Sequence, residues 1–186
     1  MLGNIVRSLA DHWPVWLVSI TLVIAALIDG LKLKVPNWLT FPMILSGWLY
    51  SGLWFGWEGL GWSIAGTAVG LALLLPAYAI GGMGAGDVKL LGGVGAWVWP
   101  SATFYAFCVS AMVGGLLAVM MVLWQRKWKH HQQQFLAIAT EILVVRDAGQ
   151  LAAMAAERKS RMLLLPYGIP IAIGTIAYFA WTGMLL

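Results

Sequence analysis

The chain has 186 residues, of which 61% are hydrophobic and 10% charged, with a net charge of +4 and a single cysteine. Several apolar runs of about 17 to 25 residues, long enough to cross about 30 Å of hydrocarbon, exclude a water-soluble domain and define one integral membrane domain over residues 1–186. The lone Cys108, inside an apolar run, excludes both a disulfide framework and a cysteine-built zinc site, and is expected to be a small packing residue.

Residues 1–13 read as a short interfacial helix. A signal peptide does not fit them, because no small-x-small cleavage site follows at the right distance and the next span carries Asp29. Windows of about 19 residues then place spans at 15–31, 38–55, 60–80, 88–99, 101–124 and 162–186. The fourth offers only about twelve positions, roughly 18 Å, so it must begin upstream, insert thinly or border a wet cavity. Between the last two spans lies the one sizeable polar region, 125–161. There Phe135, Ile138, Ala139, Ile142 and Leu143 recur at helical spacing and predict an amphipathic helix on the membrane surface, with His130 and His131 as solvated loop residues. The expected fold is therefore all-α and polytopic, with about six transmembrane helices.

Charge orients it. With the N-terminus outside, Lys32, Lys34, Lys89, Arg126, Lys127, Lys129, Arg146, Arg158, Lys159 and Arg161 fall on the cytoplasmic side and only Arg7 falls outside. Ten cations against one is a strong positive-inside bias, which says more about a membrane protein than its net charge; no nucleic-acid partner is expected. Most of the tryptophans, among them Trp13, Trp38, Trp54, Trp57, Trp97 and Trp181, fall near predicted span ends as an aromatic belt, with Trp48 in mid-span. Gly66 and Gly70 form a small-xxx-small face for close helix packing in the third span.

Two carboxylates carry the chemical interest. Asp29 comes near the inner end of the first span and Asp87 opens the fourth just after an inner turn, so both lie at similar depth on one side. Ionisable residues at that depth are costly and rare. Packing the first and fourth spans together would set the two carboxyls face to face, where both cannot ionise easily and one holds a proton. Such a pair can hydrolyse a peptide bond without metal or cofactor: one carboxylate takes a proton from water while its protonated partner polarises the carbonyl. Asp87, near a helix N-terminus with Lys89 two residues on, suits the first base, and Asp29 the first acid. Gly82, Gly84 and Gly86 supply a permissive backbone beside Asp87; their spacing does not suit a phosphate loop and no strand precedes them. The residues alone equally admit a plainer reading, in which Asp87 caps a helix and Asp29 snorkels to the interface. Pro36-Asn37 ends the first inner loop, with Asn37 able to cap the second helix.

The run from Asp29 through Pro36, Asn37, Leu39 and Thr40, together with Gly84-Ala85-Gly86-Asp87-Val88-Lys89, resembles the paired signatures of the type IV leader peptidases, or prepilin peptidases, which are intramembrane aspartic proteases of the GxGD type. Pro166-Tyr167-Gly168-Ile169-Pro170 matches a third signature that opens the family's last span. The resemblance implies that Asp29 and Asp87 are the catalytic pair, that Gly84, Gly86, Lys89, Pro36, Asn37, Pro166, Tyr167 and Gly168 shape the site, and that no metal is used. It further implies a multi-pass protein of the bacterial inner membrane with its site facing the cytoplasm, whose partners are membrane lipids and pilin-like precursors cut after a short basic leader. The family's long form adds an N-terminal cytoplasmic region with paired cysteines and N-methylates its product. With one cysteine and little before the first span, this chain looks like the short members of tight-adherence (Flp-type) pili, and methyl transfer is not expected. The competing reading is a small proton-coupled transporter or channel with an aspartate relay, against which stands the lack of a convincing internal repeat.

Overall fold

The computed structural model describes residues 12–79, 81–124 and 166–185. The expected interfacial helix before Trp13 and the expected amphipathic segment at 125–161, with His130 and His131, lie outside the described residues. All elements among the described residues are helices.

Helix α1 spans Trp13–Lys32, with Pro14 in its first turn, where a missing N–H costs nothing. Val15, Val18, Ser19, Leu22, Ala25 and Asp29 recur at helical spacing and form its buried stripe. Within it, the Ser19 hydroxyl donates to the Val15 carbonyl at 2.8 Å, which satisfies that polar group inside the helix. The helix ends where Leu33 turns left-handed, at φ 51°, and donates its N–H to the Asp29 carbonyl at 2.7 Å.

Helix α2 covers Asn37–Ala79, 43 residues. A straight helix of that length would run about 65 Å, twice the hydrocarbon thickness. It folds back at Gly56, whose φ of 65° and ψ of −156° interrupt the helix. The reversal brings Trp48 Nε1 within 2.9 Å of Thr67 Oγ1, although 19 residues of straight helix would hold them about 28 Å apart. Helix α3, Ala85–Trp124, is broken in the same way at Trp99, with φ 64° and ψ 176°, immediately before Pro100. Helix α4, Gly168–Trp181, has 14 residues and closes with a Schellman turn. In that turn Gly183, at φ 72°, donates to the Ala180 carbonyl and Met184 to that of Phe179 at 2.9 Å.

The predicted second and third spans are thus the two arms of α2, and the fourth and fifth those of α3. The short fourth span begins upstream, at Ala85 rather than residue 88. One boundary needs correction: the last described helix starts at Gly168, six positions after the expected 162, because Pro166 and Tyr167 form the turn that leads into it. The loop 33–36, the turn 81–84 and the start of α4 lie at one end of the bundle, and the reversals at Gly56 and Trp99 lie at the other.

Close backbone approach joins the hairpins. A Cβ on Gly70 would meet the Leu91 carbonyl carbon at 2.7 Å, and one on Gly66 would strike the backbone of Gly95, so the small-residue face of α2 is used against α3 as expected. The Ser63 hydroxyl adds a bond to the Ala96 carbonyl at 2.5 Å. Trp97 departs from the aromatic belt. It is buried and donates Nε1 to the Met43 carbonyl at 2.9 Å, so it stitches α3 to α2 instead of marking the interface.

The backbone at Gly56 lies in a region of φ/ψ that is essentially reserved for glycine, and a Cβ placed there would touch nothing within 4 Å. Gly56→Ala is therefore expected to destabilise the protein by about 1–3 kcal/mol through backbone strain alone. Thermal unfolding in detergent checks this, and an unchanged transition temperature would show that the turn relaxes at no cost.

Candidate active site

Both aspartates are buried, Asp29 at 2% and Asp87 at 5% relative exposure. Asp29 sits one turn before the end of α1, on the stripe that faces the bundle, and so does not snorkel. Its Oδ2 accepts the backbone N–H of Gly168 at 2.8 Å, across 139 residues of sequence. That N–H belongs to the first turn of α4, where the unsatisfied amides and the helix dipole favour an anionic partner. The approach demands glycine: a Cβ at residue 168 would lie 2.9 Å from Asp29 Oδ2 and 3.0 Å from its Cβ.

Asp87 is held from the other side. The Gly84 carbonyl accepts the Asp87 N–H at 3.2 Å, and Asp87 Oδ2 accepts the Gly84 N–H at 3.0 Å, the return bond of a capping box at the start of α3. The cap expected of Asp87 is made, and it uses one carboxylate oxygen. Gly86 has a different role from the one its neighbours suggest. The positive φ in this run belongs to Gly81, at 81°, whereas a Cβ on Gly86 would lie 2.9 Å from that of Val35. Val35, 2% exposed in a loop whose neighbours Leu33 and Lys34 are exposed, thereby wedges the 33–36 loop against the turn that carries Asp87.

Tyr167 joins the two. It precedes Gly168, the donor to Asp29, and its half-buried phenol lies within electrostatic range of the Asp87 carboxylate. A Cβ on Gly114 would meet the Tyr167 hydroxyl at 3.1 Å. Gly114 packs against Tyr167 and Asp87 lies within electrostatic range of it, although 27 residues of straight helix would separate the two by about 40 Å, in keeping with the fold-back at Trp99. The start of α4 thus holds Asp29 directly and lies within electrostatic range of Asp87. Helix α1 packs chiefly against α4 and more lightly against α3, so the direct pairing of first and fourth spans expected from the sequence is mediated by the last helix.

The remaining expected site residues lie at this same end. Pro166 and Pro36 supply carbonyls that accept the N–H groups of Ile169 and Leu39, each at 3.1 Å, and so start their helices. Asn37 opens α2 as its first residue, and its side-chain oxygen accepts Lys89 Nζ at 3.0 Å in place of the expected cap. The same ammonium lies 4.8 Å from the centre of the Phe41 ring, so Lys89 ties the first turns of α2 and α3 together. Among the described residues no cluster of His, Cys, Asp or Glu could hold a metal ion. Val35 and Gly114 were not foreseen: neither carries a chemical group, and their roles exist only in the contacts they make.

The described residues form an all-helical bundle with three helices long and apolar enough to cross a membrane and two buried carboxylates near one end, the frame of a membrane protein. Comparison with known proteins identifies its family. The chain belongs to the type IV leader peptidase family, whose profile matches residues 16–119. It is 30% identical over 151 residues to a prepilin leader peptidase/N-methyltransferase of Aeromonas hydrophila, an alignment covering 73% of this chain and 51% of that protein. It is 32% identical over 136 residues to the protein of the same name from Aeromonas salmonicida (strain A449), covering 66% of this chain and 45% of the relative. The chain thus spans about half the length of the curated relatives it matches. No solved structure matches it.

Proposed function

We propose that this protein is an aspartic endopeptidase of the membrane that removes the short basic leader from pilin-like precursors, with Asp29 and Asp87 as its catalytic pair. The observation that carries the reading is a pair of buried carboxylates, anchored separately by Gly168 and Gly84 at the same end of the bundle, in a member of the leader peptidase family. Family membership favours it over the transporter reading.

In the proposed reaction the ionised carboxylate takes a proton from water, whose oxygen attacks the scissile carbonyl. The protonated partner gives its proton to the carbonyl oxygen, forming a gem-diol; as the C–N bond breaks the first protonates the leaving amine and the second takes back a proton from a diol hydroxyl, so that the pair returns to its starting protonation state. Each carboxylate accepts an N–H at a helix start, Gly84 for Asp87 and Gly168 for Asp29, so negative charge is favoured at both and either can open the reaction as base with the other as acid. The pair titrates as a unit. A basic leader followed by an apolar helix would stop with its cleavage point at the depth of these residues, and capture of that helix rests on apolar contact. The test is co-expression of the protein with a pilin-like precursor, read as a mobility shift of the precursor in isolated membranes. An uncut precursor in the presence of abundant, inserted protein would refute the proposal.

The reading also places the aspartate end in the cytoplasm of a bacterial inner-membrane protein crossing about six times. Cysteines introduced at Lys34 and Gly84 are expected to react with impermeant reagents only from the cytoplasmic side, and one at Glu58, exposed beside the reversal at Gly56, only from outside. Labelling of the Gly84 position from outside would invert the orientation.

A further inference from the structure

The segment that leaves Asp29, residues 33–36 between α1 and α2, is fixed at more points than a connecting loop requires. At its start Leu33 donates its N–H to the Asp29 carbonyl at 2.7 Å, and at its end the Pro36 carbonyl accepts the Leu39 N–H at 3.1 Å. Between these, Val35 is seated against α3. It is 2% exposed, whereas Leu31 and Leu33 are 85% and 54% exposed, so burial is not the general fate of an apolar side chain here. Its seat is Gly86, where a Cβ would lie 2.5 Å from the Val35 carbonyl oxygen and 2.9 Å from its Cβ. Further along α3, Lys89 Nζ donates to Oδ1 of Asn37, the first residue of α2, at 3.0 Å. The two fixings bracket Asp87, one in the residue before it and the other two residues after.

We propose that Val35 and Lys89 are positioning residues, which hold residues 33–37 as a brace between the two aspartates and so set the separation of their carboxyls. The anchors of the aspartates do not do this, because Asp29 is held by Gly168 of α4 and Asp87 by Gly84 of its own turn. Helix packing does little more, since α1 lies only lightly against α3. Chain connection alone is too loose: four loop residues can span any distance up to about 14 Å. Docking on α3 at Gly86 and Lys89 removes that freedom. The side chains suit the task. Val35 is branched at Cβ and stiff at χ1, so its place on Gly86 is defined. The Lys89 ammonium, 4.8 Å from the centre of the Phe41 ring, is steered by that ring onto Asn37.

A catalytic group displaced by about 1 Å loses on the order of 10²-fold in rate, so a loosened brace shows itself in kcat. Capture of the precursor helix rests on apolar contact elsewhere, so KM stays. The effect on rate rests on the peptidase reading; the brace does not.

The experiment reads the distance between spin labels on cysteines introduced at Leu31 and Ala85, exposed positions two residues from Asp29 and Asp87, in the full protein carrying Cys108→Ala. A narrow distribution is expected, broadened by Val35→Ala and by Lys89→Met and narrow again in Lys89→Arg, whose guanidinium can still donate to Asn37 and lie on Phe41. Precursor cleavage should follow the same order: kcat lower by about tenfold to a hundredfold in the first two variants, with KM changed by less than about twofold, and most of the loss recovered in Lys89→Arg. If Val35→Ala does not accumulate, Lys89→Met, at the exposed rim, carries the test. A distribution that stays narrow in the variants would overturn the brace. Broadening with kcat per folded molecule unchanged, or with a raised KM in its place, would overturn its control of the rate. Broadening in a protein whose wild type cleaves no precursor would refute the peptidase reading and uphold the brace.

Discussion

Replacing either Asp29 or Asp87 with asparagine is expected to abolish precursor cleavage, a loss of at least about 10²- to 10⁴-fold, while the protein still accumulates in the membrane. Asparagine keeps the size of aspartate but cannot take up and return a proton. It does keep a side-chain oxygen, so the Gly168 N–H can still be accepted at residue 29 and the Gly84 N–H at residue 87. The anchors survive and the chemistry does not. Because the two groups act as a unit, the double variant should be little worse than either single one. The measurement is precursor cleavage in membranes with equal amounts of enzyme, and substantial cleavage by either single variant would remove that aspartate from the mechanism. Failure of both to accumulate would make the pair structural, with Asp87 a helix cap and Asp29 a receptor for the start of α4.

Much of this arrangement was legible in the sequence because membrane physics leaves few alternatives. Apolar runs placed the helical stretches within a few residues, since backbone in hydrocarbon must satisfy its own hydrogen bonds. Asp29 and Asp87 stood out because carboxylates are rare at that depth. What the sequence did not contain was the means by which they meet. Gly168 is placed at the site by its signature, but its use as the Asp29 donor depends on a contact across 139 residues. Val35 reads as an apolar residue in a lysine-flanked loop, and only the absence of a Cβ at Gly86 reveals it as a wedge. Lys89 invited a pairing with its sequence neighbour Asp87, yet its long side chain reaches Asn37, 52 residues away. Trp99 is the sharpest case. The expected spans 88–99 and 101–124 already put the reversal at Pro100, but nothing in the sequence marks Trp99 as adopting a glycine-like φ of 64°, held beside Phe55, 5.5 Å away between ring centres.

Gly168→Ala is expected to reduce cleavage by about a hundredfold with little change in apparent KM. The added methyl would lie 2.9 Å from Asp29 Oδ2 and 3.2 Å from its Cγ, inside normal contact, so either the carboxylate or the start of α4 must give way. Displacing a catalytic group by about 1 Å costs on the order of 10²-fold in rate. Overpacking itself costs about 1–3 kcal/mol, so some loss of thermal stability accompanies the change and must be separated from it. Gly115→Ala provides the control: a Cβ there meets nothing within 4 Å, and it exchanges glycine for the better helix former on an exposed face of α3. That variant should keep full activity and equal or greater stability. If Gly168→Ala proteins that remain folded, by thermal unfolding, cleave precursor at more than a tenth of the wild-type rate, the Gly168 donor does not fix the working position of Asp29. A large rise in KM at unchanged kcat would instead move residue 168 from the catalytic centre to the path by which the precursor helix enters.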